Sequence, residues 1–160
     1  MARNEIFIAA SPQKVFELLS DPRTYAHWVV GSREIRAADP NWPEPDTAFD
    51  HTVGVPPFVI NDDTQVVSAL APVMLELRAN GGPLGSALIT FQLQPEGNGT
   101  RVTMIEDPLE RWRAIALGLA GHFLIKARNA ESLRRLKQLG EGSVPRPSGP
   151  LAQRAGVHES

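Results

Sequence analysis

His51 lies in a stretch, residues 47–53, whose side chains alternate strictly, and it shares parity with Phe49 and Val53. An imidazole titrates near neutrality, so on an apolar strand face turned inward it suits general acid–base work or a hydrogen bond to a ligand carbonyl. The same pattern also describes a histidine hydrogen-bonded into a strand, or a whole face turned outward. Glu106 has the parity of Val102 and Met104. A buried carboxylate there would give or take a proton, but Glu106 and Asp107 also precede a long helix, whose positive N-terminal end favours negative charge, and that reading is preferred. Asp62 shares parity with Phe58 and Ile60 and could face His51; a β-bulge or a solvated face is the preferred alternative. Arg78 stands alone among acidic residues and suits an ion pair with Glu76 or Glu106, or a ligand carboxylate.

Other chemistries lack their residues. The chain has no cysteine, which excludes a disulfide frame, a thiolate metal site and a cysteine nucleophile, and fits a reducing cytoplasm. His27, His51, His122 and His158 lack the paired spacing of a metal site, so no metal is expected. There is no phosphate loop, dinucleotide fingerprint or Gly-x-Ser-x-Gly elbow, and no cofactor is expected. A net charge of −2 gives no overall field for a nucleic acid. Residues 1–10 lack the pattern of a signal peptide, and the longest apolar stretch, residues 115–125, is too short to span a bilayer.

The elements that must position these groups are legible. Residues 3–9 alternate as a first strand. Ser11-Pro12 and Asp21-Pro22 are each a cap followed by proline, the signal for two short helices reaching Trp28. Strands are expected over 32–38, 47–53, 58–69, 73–79, 84–93 and 101–106, with turns at Asn80-Gly81-Gly82-Pro83 and Glu96-Gly97-Asn98-Gly99. Asp107-Pro108 should start a helix whose stripe of Trp112, Ile115, Leu119, Phe123, Ala127, Ala130 and Leu133 must be buried on the sheet, with Gly140 and Gly142 at its end. Residues 142–160 are expected to form a mobile tail. The 160 residues fit one domain, over 1–141, with that tail appended. Between Pro40 and Asp107 nine acidic residues face only Arg78 and Arg101, while from Leu109 to Glu141 seven Arg or Lys face three Glu.

The motif Ile8-Ala9-Ala10-Ser11-Pro12-Gln13-Lys14-Val15-Phe16, then Leu19-Ser20-Asp21-Pro22, Trp28, the strand start Gly99-Thr100-Arg101-Val102-Thr103-Met104 and the long last helix carry a resemblance over residues 2–141. The chain resembles the START-like, birch-pollen-allergen-like superfamily, with its bacterial polyketide cyclase/dehydrase-like or SRPBCC members. The resemblance implies an α+β helix-grip fold: a curved seven-stranded antiparallel sheet, two short helices after strand 1, and a long C-terminal helix over a cavity. Members of the superfamily bind lipids, polyketides, sterols or quinones; some cyclise polyketides, and others are co-chaperones or lipid chaperones.

In such a fold the concave face would carry Trp28, Phe49, Val53, Phe58, Val73, Leu75, Leu77, Ile89, Phe91, Val102, Met104, Ile115 and Leu119, either as lining or as ordinary core. Arg78 and Trp112 are further candidates for ligand contact, although Trp112 fits packing against the sheet better. The expected entrance lies between the helix pair, residues 11–28, and the loop 39–46. The leading expectation is a cytoplasmic protein binding a small hydrophobic or aromatic molecule, oriented first by His51. A cyclase or dehydratase using His51 with Glu106 or Asp62 is the second reading, and a co-chaperone-type interaction module the third. Monomer and homodimer both remain open.

Overall fold

The computed structural model describes residues 1–82 and 85–155, apart from the side chains of Arg113 and Ala114. Pro83 and Leu84 of the expected turn and strand, and the chain end with His158, lie outside the described residues. The order is β1 (Ala2–Ile8), α1 (Pro12–Leu19), a 3-10 turn (Pro22–Thr24), α2 (Tyr25–Trp28), β2 (Ser32–Ala38), β3 (Ala48–Val55), β4 (Phe58–Leu70), β5 (Met74–Asn80), β6 (Ser86–Glu96), β7 (Gly99–Pro108) and α3 (Arg111–Gly140). The strands form one antiparallel sheet in the order β1-β7-β6-β5-β4-β3-β2, a meander closed by the first strand beside the last. This is the α+β helix-grip architecture.

Register turns the period of two into one continuous inner face. Ile6 pairs with Val102, Val102 with Leu93, and Met104 with Phe91. Phe91 pairs with Leu75, Leu77 with Val66, and Thr64 with Phe49. All of these apolar residues are buried except Ile6, which is partly so. Burying such side chains is the main stabilising term, at about 25 cal/mol per Å² of apolar surface.

One end of the trough is closed. Ser11 caps α1 through its Oγ, which accepts from Lys14 N at 3.2 Å, and Asp21 Oδ1 accepts from Arg23 N at 3.1 Å. These caps aim Tyr25 and Trp28 onto the sheet. Tyr25 lies 4.9 Å from Trp28 and 4.8 Å from Phe49 between ring centres, and Trp42 lies 4.8 Å from Phe49. Tyr25 Oη donates to Leu19 O at 2.7 Å and Trp28 Nε1 to Thr24 Oγ1 at 3.1 Å, so the rings are buried with their polar tips satisfied. The end expected to be the entrance is therefore an aromatic plug. The opposite end is bounded by the β3–β4 hairpin, the β5–β6 connection and the start of α3.

The last helix departs from expectation. Asp107 and Pro108 finish β7, pairing with Leu88 and Ala87, and α3 begins only at Arg111. Glu110 fixes that start, its Oε2 accepting from Ser86 N at 2.7 Å. Downstream, Asn129 Nδ2 donates to Glu106 Oε2 at 2.8 Å, Lys137 Nζ donates to Phe7 O at 2.8 Å, and Gly140 lies against Ile8. The helix thus runs antiparallel to β7. If straight, it would carry Arg111 roughly 27 Å outward from Asn129. The five residues from Glu106 to Arg111 span at most about 18 Å. The helix must break, and it does so at Gly118 (φ 59°, ψ −157°), a conformation in which an L side chain is strained. Of the expected stripe only Leu133 is buried, joined in the core by Leu136 and Leu139; Trp112, Ile115, Leu119, Phe123, Ala127 and Ala130 are exposed.

The C-terminal segment, expected to be mobile from its prolines, is held to the domain. Arg146 Nη2 reaches Asp21 Oδ2 at 3.2 Å, Leu151 packs on the core, and Gln153 bridges Ala38 at the edge of β2. Arg154 Nε donates to Asp50 Oδ1 at 3.0 Å. Charge pairs and one backbone bridge hold what composition alone read as loose.

Candidate functional site

The inner face carries a polar island. His51 on β3 lies beside Asp62 of β4 and Ile35 of β2 in the register, below the ring of Phe49. Its Nδ1 is 3.1 Å from Ser32 Oγ, and its Nε2 is 3.3 Å from Thr64 Oγ1 and 3.9 Å from Asp62 Oδ2. Burial pushes the His51 pKa down to about 4, with Arg36 acting the same way against Asp63 and Asp50. The imidazole is therefore neutral at neutral pH, one nitrogen donating and the other accepting. Burial, helped by the neighbouring charge of Asp63, lifts Asp62 to about 6, against a hydrogen bond from the Asp63 backbone. The two groups are consequently not an ion pair near pH 7. They form a neutral base and an easily protonated carboxyl on one apolar wall, an arrangement suited to hydrogen-bonding a carbonyl or hydroxyl and to passing a proton.

Glu106 also faces inward and is buried, but it is engaged. Its Oε2 accepts from Arg128 Nη2 at 2.6 Å and from Asn129 Nδ2 at 2.8 Å. Its role is to hold α3 to β7. The dipole reading does not apply, because α3 starts five residues later. Three strands separate β7 from β3 in the sheet, and no hydrogen bond among the described residues joins Glu106 to His51.

A family model for polyketide cyclase/dehydrase and lipid transport proteins matches residues 2–141. The chain belongs to that family. No curated protein matches it by sequence. Solved structures of similar fold include the Aha1 dimer from Colwellia psychrerythraea, with 17% identity, 88% of this chain and 95% of that one covered, and a TM-score of 0.64. A protein of unknown function from Staphylococcus aureus is similar over 89% of this chain and 93% of its own, at 14% identity and a TM-score of 0.69. The di-domain aromatase/cyclase StfQ of the steffimycin biosynthetic pathway is similar over 88% of this chain but 50% of its own, at 13% identity and a TM-score of 0.68. At these identities the likeness shows the fold alone.

In this member of the family the candidate residues divide into groups. Trp28, Phe49, Leu75, Leu77, Phe91, Val102 and Met104 are buried core, while Val53 and Ile89 are partly exposed on the inner face at the open end. Phe58 has the inward parity but stands at the hairpin tip, beyond the reach of β5, and is exposed, as is Val73 ahead of β5. Ile115 and Leu119 leave the sheet with the first half of α3, and Trp112 is exposed there too. Arg78 is exposed on the face opposite Leu75 and Leu77, and of the two partners expected for it, Glu76 and Glu106, the second faces inward and is taken by Arg128. Sequence reasoning missed Ser32, Thr64, Arg128 and Asn129. Thr64 was findable by its parity with Asp62; Ser32 was not, because β2 carries two register shifts against β3. An open surface groove of about 560 Å³ between α1, the end of α3 and the C-terminal segment shares none of these inner-face residues.

Proposed function

We propose that the protein binds a small hydrophobic or aromatic molecule, such as a lipid, quinone or polyketide-like compound, against the concave face at its open end. His51 and Asp62 would hold the molecule's polar end. The observation that carries this reading is the polar island itself: a neutral histidine flanked by Ser32, Thr64 and Asp62 on an inner wall that runs from the buried Phe49, Val66, Leu77 and Phe91 to the partly exposed Val53 and Ile89 at the open end. Such a wall gives affinity by apolar burial, and the few polar groups give orientation. Native mass spectrometry of the protein purified from cells, then thermal shift over lipids, quinones and polyketides, tests it. A ligand whose affinity falls about tenfold in His51→Ala, the worth of one lost buried hydrogen bond, is the expected result. Absence of any ligand and any shift overturns it.

A second reading, turnover of a polyketide-like substrate by cyclisation or dehydration, draws on Asp62. A carboxyl titrating at about 6 beside a neutral imidazole is matched to proton transfer near neutrality. Product formation that is lost in both His51→Ala and Asp62→Asn, even at ligand concentrations that saturate the variants, would favour it.

A further inference from the structure

We infer that the first half of α3 is a docking element for the surface of an anionic lipid bilayer. The chain leaves β7 at Pro108 and is back beside the same strand at Asn129, so the intervening residues form an excursion beyond the sheet's end, bent at Gly118. That excursion is apolar and uncovered. Ile115 is 80% exposed, Leu119 89% and Phe123 72%, with Leu117 and Leu124 also exposed. The β3–β4 hairpin tip, Val55-Pro56-Pro57-Phe58, sits at the same end of the sheet, bears no charge, and leaves Phe58 84% exposed. Two separate apolar elements are thus uncovered at one end of the sheet, and large exposed apolar areas mark interaction sites.

Charge selects the occupant. From Arg111 to Ala130 the chain holds Arg111, Arg113, Lys126 and Arg128 and no carboxylate, although the protein as a whole is net acidic. Arg128 is engaged with Glu106, which leaves the cations concentrated toward both ends of the apolar segment. In a symmetric pairing with a second copy, either helix direction would set cation against cation within residues 111–130, and the flanking acids Glu110 and Glu131 already accept from Ser86 N and from Arg134 and Arg135; close like charges repel. Anionic headgroups meet both the cationic ends and the apolar middle, the pattern of a helix lying in a membrane interface. No helix among the described residues is long and apolar enough to cross a bilayer, so this one would lie on the surface. The inference stands apart from the ligand reading, since it uses neither His51 nor Asp62.

The test is co-sedimentation of the full chain with vesicles of phosphatidylcholine mixed with phosphatidylglycerol, and with phosphatidylcholine alone. Trp112 emission is read alongside, with Trp112→Phe as blank, because Trp28 and Trp42 are buried. Expected are preferential binding to the anionic vesicles, weakening with salt, and a blue shift of Trp112. Phe123→Glu should lower affinity at least about tenfold and Arg111→Gln about fivefold, both with unchanged melting temperature. Failure to sediment overturns the inference, as does sedimentation indifferent to Phe123→Glu. A dimer by light scattering that Phe123→Glu makes monomeric assigns the face to a second copy. A vesicle-free blue shift on adding an apolar ligand assigns it to the protein's own concave face. Either result replaces the bilayer.

Discussion

The carboxylate of Asp62 stands 3.9 Å from Nε2 of His51, and both side chains are almost wholly withdrawn from water. Burial moves their pKa values toward and past each other, to about 6 for the acid and about 4 for the base. Their effects on stability oppose. With Asp62 raised from 3.8, the folded state holds the extra proton, so its contribution is full below about 4 and is lost as pH rises through 6. With His51 lowered from 6.5, the unfolded state holds the extra proton, so stability rises from pH 4 to 6.5. Each arm amounts to about 3 kcal/mol as an upper figure. The wild type should be nearly flat for this pair. Asp62→Asn should gain stability with pH from 4 to 6.5 relative to wild type, and His51→Gln should lose it from 4 to 6. Melting temperatures of the three proteins across pH 4–7 check the signs.

Glu106 holds the turn of α3 that carries Arg128 and Asn129. Removing it leaves the buried amide of Asn129 without its acceptor, so Glu106→Ala should lower unfolding free energy by about 3 kcal/mol. Glu106→Gln keeps an acceptor for Asn129 and should cost about half as much. Urea denaturation with a common slope distinguishes them.

Gly118→Ala tests the break in the helix. A Cβ there meets no described atom within 4 Å, so any cost comes from the backbone alone. Holding alanine at φ 59°, ψ −157°, a region kept essentially to glycine, should cost about 1–3 kcal/mol and lower the melting temperature by roughly 2–12 °C. An unchanged melting temperature would mean that the bend is not needed.

Phe49→Ala empties the centre of the aromatic plug, where Tyr25, Trp42 and His51 all meet one ring. A loss of about 3–5 kcal/mol is expected, measured by chemical denaturation. A loss under 1 kcal/mol would show that the neighbouring rings collapse into the space.

Most of the fold was legible because its signals are local. Ser11-Pro12 and Asp21-Pro22 mark helices by their own chemistry, and alternation around Phe49 or Val102 assigns a face without knowledge of the partner strand. The shared inward parity of His51 and Asp62 was legible for the same reason, although for Asp62 a bulge or a solvated face was the preferred reading, and its side chain is instead withdrawn from water. The path of α3 was not. The spacing of Trp112, Ile115, Leu119 and Phe123 fits a buried stripe as well as an exposed one, and the choice depends on how far Asn129 lies from Pro108 in space. Glu106 was misread for a related cause: its partners Arg128 and Asn129 are 22 and 23 residues away. The contacts of Arg146 and Arg154 reach back more than a hundred residues, beyond any local signal.

Gln153 bridging Ala38 has a bearing on how copies of this chain can combine. The bridge covers β2 at its last residue, while at the other margin Lys137 Nζ occupies Phe7 O and Glu141 accepts from Ala9 N. Both lateral margins of the sheet thus have backbone groups engaged by their own chain, which discourages strand addition by a second copy. Shortening the chain before Gln153 would free the end of β2 and should favour association through that margin.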